Sequence, residues 1–262
     1  MIPEAAITHW RNVAPWPQDA QVEQDLILSR ALVEIFREPS LSKAVLLRGG
    51  TALHKLFMSP VRRYSEDIDL VQARPGPIGP ILDALRAQLD PFLGKPRRER
   101  NPGNVTLRYR MESEIAPVVP LRLKVEINTR EHFVVLGALT RSHSVRSPWF
   151  EGDAAIQTYA IEELLGTKLR ALFQRRKGRD LFDLWAALET PGVDPRRIVE
   201  TFRAYMLADG AAVGLTAFER NLAAKVGSRA FNDDLRPLLA PLVQYDAAVA
   251  ASVITGRLLV LL

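Results

Sequence analysis

Leu46–Val71 reads LLRGGTALHKLFMSPVRRYSEDIDLV, a succession of strand, break, helix, turn and strand. Val45 to Leu47 has strand character, Gly49 and Gly50 break it, and a helix opened by Thr51 follows. A basic turn then leads into a second strand that carries Asp67 and Asp69 with Ile68 between them. Side chains alternate faces along a strand, so both carboxylates leave one side while Ile68 and Leu70 point to the other. Two like charges this close repel and raise each other's pKa. A divalent cation is the most economical way to offset that repulsion. Oxygen-only ligands favour a hard ion, Mg²⁺ or Mn²⁺, of the kind that arrives with substrate phosphates.

The glycine pair supplies the other half of a phosphate site. Gly49 and Gly50 allow a sharp turn and a close approach of backbone to ligand. Thr51 caps the helix, whose free N–H groups and positive dipole end favour an anion. An anion cradle joined by one short helix to a carboxylate pair resembles the polymerase-β-type nucleotidyltransferases, in which a Gly-Gly/Ser turn precedes Asp-x-Asp. Ser65 lies two residues before Asp67, shares the carboxylate face in an extended strand, and is grouped with Gly49, Gly50 and Thr51 on the nucleotide side. Ser65 either simply ends the turn before the strand or is a modification point, where a phosphate would set close to two negative charges beside the pair.

The chain of 262 residues, 47% hydrophobic and 25% charged, is long enough for one large or two modest globular domains. It has no cysteine, which excludes disulfides and thiolate metal sites. No apolar run reaches membrane-spanning length, and MIPEAAITHW lacks the basic-then-apolar pattern of an export signal. The expectation is a cytoplasmic protein without a membrane partner. A net charge of +5 and a pI near 9.7 lean towards an anionic partner.

In chain order, Trp10 and Trp16 sit in a packed N-terminal arm, and Val22, Leu26, Val33 and Phe36 recur at helical spacing until Pro39. Beyond the organising stretch, a helix runs from Ile81 to Leu89. KPRRER (Lys95 to Arg100) reads as a basic loop, either simply solvated or in contact with phosphates. Val105 to Met111 is a strand. LRLKVEIN (Leu121 to Asn128) is the cleanest strand of all, with Leu121, Leu123, Val125 and Ile127 on one face and Arg122, Lys124 and Glu126 on the other. Glu126 suits a third metal carboxylate as well as it suits a charge on a half-exposed strand. His132 to Trp149 is extended or loop. The domain boundary falls near Glu151 to Tyr159, dividing the chain as 1–150, built on the sheet, and 151–262, helical to the end.

Within the helical half, IEELLGTKLRALFQRRKGRDLFDLW (Ile161 to Trp185) places Lys168 in the middle of an apolar stripe. Its stem either snorkels, or its ammonium serves a triphosphate as a point charge. Arg175, Arg176 and Lys177 read as a solvated helix end. Asp180 and Asp183 lie one turn apart, with Arg179 able to pair with Asp183 at i,i+4.

Five segments in order, RGGTALHKL, RYSEDIDL, LKVEIN, LLGTKLRAL and RKGRDLFDLW, resemble the AbiEii/AbiGii nucleotidyltransferase family, the toxin half of bacterial abortive-infection and toxin–antitoxin pairs. The resemblance implies an α/β (α+β) nucleotidyltransferase-like mixed sheet with helices, followed by a C-terminal α-helical domain, with the active site between them. It implies that Gly50 and Thr51 hold the triphosphate and that Asp67 and Asp69 form the metal pair. Glu126 would be the third acid, Lys168 the helical-domain lysine, and Asp180 or Asp183 the motif aspartate. Implied partners are an NTP, an RNA acceptor such as a tRNA 3′ end, and a cognate antitoxin. The same core would also serve a small-molecule or protein hydroxyl, or persist as a non-catalytic binding protein. A glycosyltransferase, which also uses Asp-x-Asp, is disfavoured by Gly-Gly-Thr upstream and Glu126 downstream.

Overall fold

The computed structural model describes residues 2–262. The N-terminal arm forms helix α1 (Glu4–Trp10), followed by α2 (Asp19–Arg37) and α3 (Pro39–Ala44). Glu38 ends α2 and accepts from the Ser40 N–H at 3.2 Å, capping α3 behind a proline in its first turn. Next come β1 (Val45–Arg48), α4 (Gly49–Leu56), β2 (Asp67–Gln72), α5 (Gly79–Leu93), β3 (Arg97–Asn101), β4 (Asn104–Glu112), β5 (Pro120–Asn128), β6 (Ala138–Arg146) and β7 (Glu151–Tyr159). The described strands make one mixed seven-stranded sheet in the order β3-β4-β5-β2-β1-β7-β6, with β2/β5 and β1/β7 parallel and the remaining pairs antiparallel.

One face of this sheet is dry. Leu121, Leu123, Val125 and Ile127 of β5, Val105, Leu107 and Tyr109 of β4, and Ile68 and Leu70 of β2 are all buried on it, and α2 and α5 pack there. Each large aliphatic side chain so buried contributes roughly 1.5–3 kcal/mol, which pins β5 and β2 in register. The alternate residues leave from the opposite, polar face. That face carries Asp67, Asp69, Lys124 and Glu126.

Two expectations change. KPRRER is not a loop: from Arg97 on it is the edge strand β3, hairpinned to β4 through a turn in which Gly103 has φ of 81°. A run dominated by charge hides a strand because an edge strand, solvated on one side and paired on the other, needs little apolar content. The stretch His132 to Trp149, read as extended or loop, holds strand β6 and so takes the extended alternative. Strand β7 fills Glu151–Tyr159, the stretch read as the boundary, and pairs with both β6 and β1, so the sheet runs on to Tyr159 rather than stopping at residue 150.

Two compact units result. The first comprises residues up to Leu56, Tyr64–Val134 and Ala138–Tyr159; the second comprises Phe57–Arg63, Val135–Gly137 and Ala160–Leu262. The second contains α6 (Ile161–Gln174), α7 (Gly178–Leu188), α8 (Pro195–Ala208), α9 (Leu215–Val226), α10 (Arg229–Asp233) and α11 (Ala247–Arg257). Helix α6 packs on α7 and α8, and α11 on α7, around Phe182, Phe202 and Phe218. Buried Glu163 on α6 accepts the Val135 and Leu136 N–H groups at 2.8 Å each and the Tyr205 hydroxyl at 2.9 Å, so one carboxylate ties a loop and α8 to α6. Among the described residues no helix is long and apolar enough to cross a membrane.

Candidate nucleotide and metal site

Strand β1 ends at Arg48, and the chain turns into α4 through Gly49, whose φ is 78°. A Cβ on Gly49 would stand 2.1 Å from Asp69 Oδ2, so the backbone and that carboxylate approach more closely than any other residue allows. The helix begins at Gly49, two residues before the start expected from sequence, and Thr51 lies inside its first turn with no exposure at all. The Thr51 hydroxyl donates to the Asp67 carbonyl and lies 2.8 Å from the Ser65 hydroxyl. Thr51 and Ser65 thus tie the first turn of α4 to the start of β2, and they fix Asp67 from behind. Further along α4, the Lys55 ammonium lies 2.6 Å from Asp25 of α2, which also accepts the indole N–H groups of Trp10 at 2.8 Å and Trp16 at 3.0 Å. That buried hub holds the N-terminal arm and α4 to one carboxylate.

Register assembles the acidic face. Asp67 pairs with Lys124, and Asp69 pairs with Glu126 on one side and with Arg48 on the other. Lys124 Nζ lies 3.0 Å from Asp67 and 3.4 Å from Glu126. Burial raises the Asp67 carboxyl above the ordinary range. The Lys124 ammonium pulls it back, and Asp69 and Glu66 push it up again. Burial works against the charge on Lys124, but Asp67, Asp69 and Glu126 outweigh it and raise its pKa. Arg48 pairs with Glu131 and feels Asp69.

A divalent cation fits this face in kind. Three hard oxygen donors lie in adjacent register, and a protein cation, Lys124, already occupies the space between two of them. The fit is not one of gathered ligands: among the described residues no three acidic or histidine side chains converge as a ready coordination set. Lys124 and Arg48 are the site residues that sequence reasoning passed over. The signal for Lys124 was the strand alternation that placed it beside Glu126.

Lys168, Asp180 and Asp183 belong to the helical unit, where they form a buried ion network. Lys168 is 6% exposed, with its ammonium 3.2 Å from Asp180 and 2.9 Å from Asp183. Arg63 forks onto Asp183 at 2.6 and 2.7 Å, and Arg175 forks onto Asp180 at 2.7 and 2.8 Å. Three cations thus share two carboxylates. Burial would raise Asp180, but Lys168 and Arg175 outweigh it and hold its pKa below the ordinary value. The helical pairing expected between Arg179 and Asp183 gives way to Arg179 with Asp234, at 3.3 Å. Arg63, read from sequence only as part of a basic turn, is 2% exposed.

The family model described as nucleotidyl transferase AbiEii toxin, Type IV TA system, matches residues 30–251. Among solved structures, the fold is similar to MenT4, a nucleotidyltransferase toxin from Mycobacterium tuberculosis H37Rv, with a TM-score of 0.65 at 16% identity, covering 100% of this chain and 90% of that one. An antigenic nucleotidyltransferase-like protein from Paracoccidioides brasiliensis aligns at a TM-score of 0.40 and 18% identity, over 82% of this chain and 93% of that one, too far off to carry weight. No curated protein matches.

Proposed function

The chain belongs to the AbiEii family of nucleotidyltransferase toxins of type IV toxin–antitoxin systems, and from that premise we propose that it moves a nucleoside monophosphate from an NTP to a 3′-hydroxyl of RNA, with a tRNA end as the foremost acceptor. The observation that carries this reading is the single sheet face on which Asp67, Asp69 and Glu126 stand in adjacent register beside the Gly49 turn. A cognate antitoxin is its protein partner.

In the reaction, the acceptor oxygen bonds to the α-phosphorus. The bond from that phosphorus to the bridging oxygen breaks, and pyrophosphate leaves with the oxygen. The hydroxyl proton passes to a carboxylate of this face. Asp67, Asp69 and Glu126 would hold Mg²⁺ or Mn²⁺, which when bound neutralises charge on the phosphates. Thr51 and Ser65 keep Asp67 in place, and the Gly49 turn lets backbone come close to ligand. Gly50 follows it in the first turn of α4, where free N–H groups favour an anion. In the helical unit, Lys168 keeps a buried positive charge oriented by Asp180 and Asp183.

The experiment is to incubate the protein with total RNA and each labelled NTP in turn, for wild type, Asp67→Asn and Asp69→Asn. RNA should become labelled by wild type alone. Mg²⁺ should raise the wild-type melting temperature, as any ligand of the native state does, and should leave both variants unmoved. Label on a small molecule or a protein instead would reassign the acceptor. Near-normal transfer by either variant would remove the catalytic assignment.

A further inference from the structure

Strand register sorts the basic residues of the sheet in a way that sequence alone does not. Arg97 pairs with Arg108, Arg108 pairs with Lys124, and Lys124 pairs with Asp67. Directly paired residues share a face, so these four form one cross-strand row ending on the carboxylate pair. At the next position on the same face, Arg110 stands opposite Arg122. Like charges directly opposite each other on neighbouring strands are destabilising, and here the arrangement occurs three times in succession.

Acids relieve only part of it. Glu99 lies 2.8 Å from Arg108 and 3.7 Å from Arg97, and its pKa is held down by Arg108, with Arg97 and Arg110 adding to the effect. Lys124 leans on Asp67 and Glu126. Arg110 and Arg122 are exposed and, among the described residues, form no ion pair. The stability of the fold gives no reason for this pair, whereas an anion between the two would.

We propose that this face of β3, β4 and β5 is the track for the acceptor RNA, with Arg97, Arg108, Arg110 and Arg122 contacting the phosphates of the strand whose 3′-hydroxyl is presented to Asp67. The proposal rests on the RNA-directed reading above and gives it a surface. Three inter-strand steps separate Asp67 from Arg97, about 14 Å at the usual strand spacing. That spans several nucleotide rises of roughly 3.4 Å along a stacked strand, so the row suits a polymer of phosphates rather than one compact triphosphate. Contacts of this kind position a strand without reading its sequence. Arg98 and Arg100, from the same basic run, pair with Leu107 and Val105 and point to the other face. They take no part.

The test compares two double charge reversals of equal size, Arg110→Glu with Arg122→Glu and Arg98→Glu with Arg100→Glu, using bulk deacylated tRNA as the probe at several salt concentrations. The Arg110/Arg122 reversal should weaken binding at least tenfold and flatten the slope of log affinity against log salt by about one for each phosphate no longer neutralised. The Arg98/Arg100 reversal should leave both near wild type. The single variant Arg110→Glu turns a like-charge pair into an opposite-charge pair, so its melting temperature should hold or rise while its tRNA affinity falls. A fall in both would mark a folding role and overturn the proposal. Equal losses from the two double reversals would reduce the effect to net charge and also overturn it. Labelling of RNA by wild type and by Arg110→Glu/Arg122→Glu with the same KM for RNA would sink the track and leave the function standing. Absence of RNA labelling by wild type would sink the function itself, whatever the binding result.

Discussion

Gly49 is where a single atom decides the geometry of the acidic pair. Its φ of 78° lies in the left-handed region, and an added Cβ would fall 2.1 Å from Asp69 Oδ2. Gly49→Ala therefore carries a backbone strain of order 1–2 kcal/mol and drives the Asp69 carboxylate out of place. Nucleotide transfer should fall at least tenfold while far-UV circular dichroism stays native. Full activity in this variant would show that Asp69 is not set by this contact. The GG pair was legible as a break with a purpose, but not which glycine takes the left-handed turn. The same holds for Thr51. The hydroxyl was visible, but its burial behind Asp67 depends on β2 coming alongside α4.

Among the elements, the buried network of α6 and α7 draws a contrast between two adjacent arginines. Arg63 forks onto Asp183, a residue with no exposure, whereas Arg62 pairs with Glu189 at the surface, where the two side chains are 33% and 45% exposed. Removing one partner of a buried pair costs about 3–5 kcal/mol, and an exposed pair contributes about 0–1 kcal/mol. Arg63→Met should therefore lower the denaturant midpoint of the helical unit sharply, and Arg62→Met hardly at all. Lys168→Met leaves each aspartate its own arginine, so it should destabilise less than Arg63→Met. If Lys168 also serves the triphosphate, transfer should drop by about two orders of magnitude, and unchanged transfer would leave Lys168 a structural ion. Helical spacing revealed Lys168 on an apolar stripe and the one-turn separation of Asp180 and Asp183. It could not reveal Arg63, which arrives from a segment more than a hundred residues upstream.

At the scale of the molecule, stability towards acid should depend on one histidine of β6. His143 is 8% exposed, and its Nε2 has no hydrogen-bond partner among the described residues. Burial, with help from Lys55, lowers its pKa from 6.5 to about 4, against an opposing pull from Asp25. The unfolded imidazole takes its proton at the higher value. Between these two pKa values the unfolded state thus binds more protons, and stability falls as pH drops from about 6.5 towards 4. The size is on the order of 3 kcal/mol. Thermal unfolding of wild type and His143→Phe across this range should diverge towards acid, with the wild type losing more. Parallel curves would mean that the imidazole charges without cost.

Local architecture follows from the sequence alone. Alternation in DIDL and LKVEIN fixes which residues share a face, because a strand has a period of two. The glycine break and the helix between those carboxylates and β1 are likewise set within one continuous stretch. The tertiary structure alone decided which strands lie side by side. It placed Lys124 against Asp67, Arg110 against Arg122, and charged β3 at the edge of the sheet, and it extended the sheet to β7 at Tyr159. Register and strand order join residues far apart in the chain, and no periodicity within a segment carries that information.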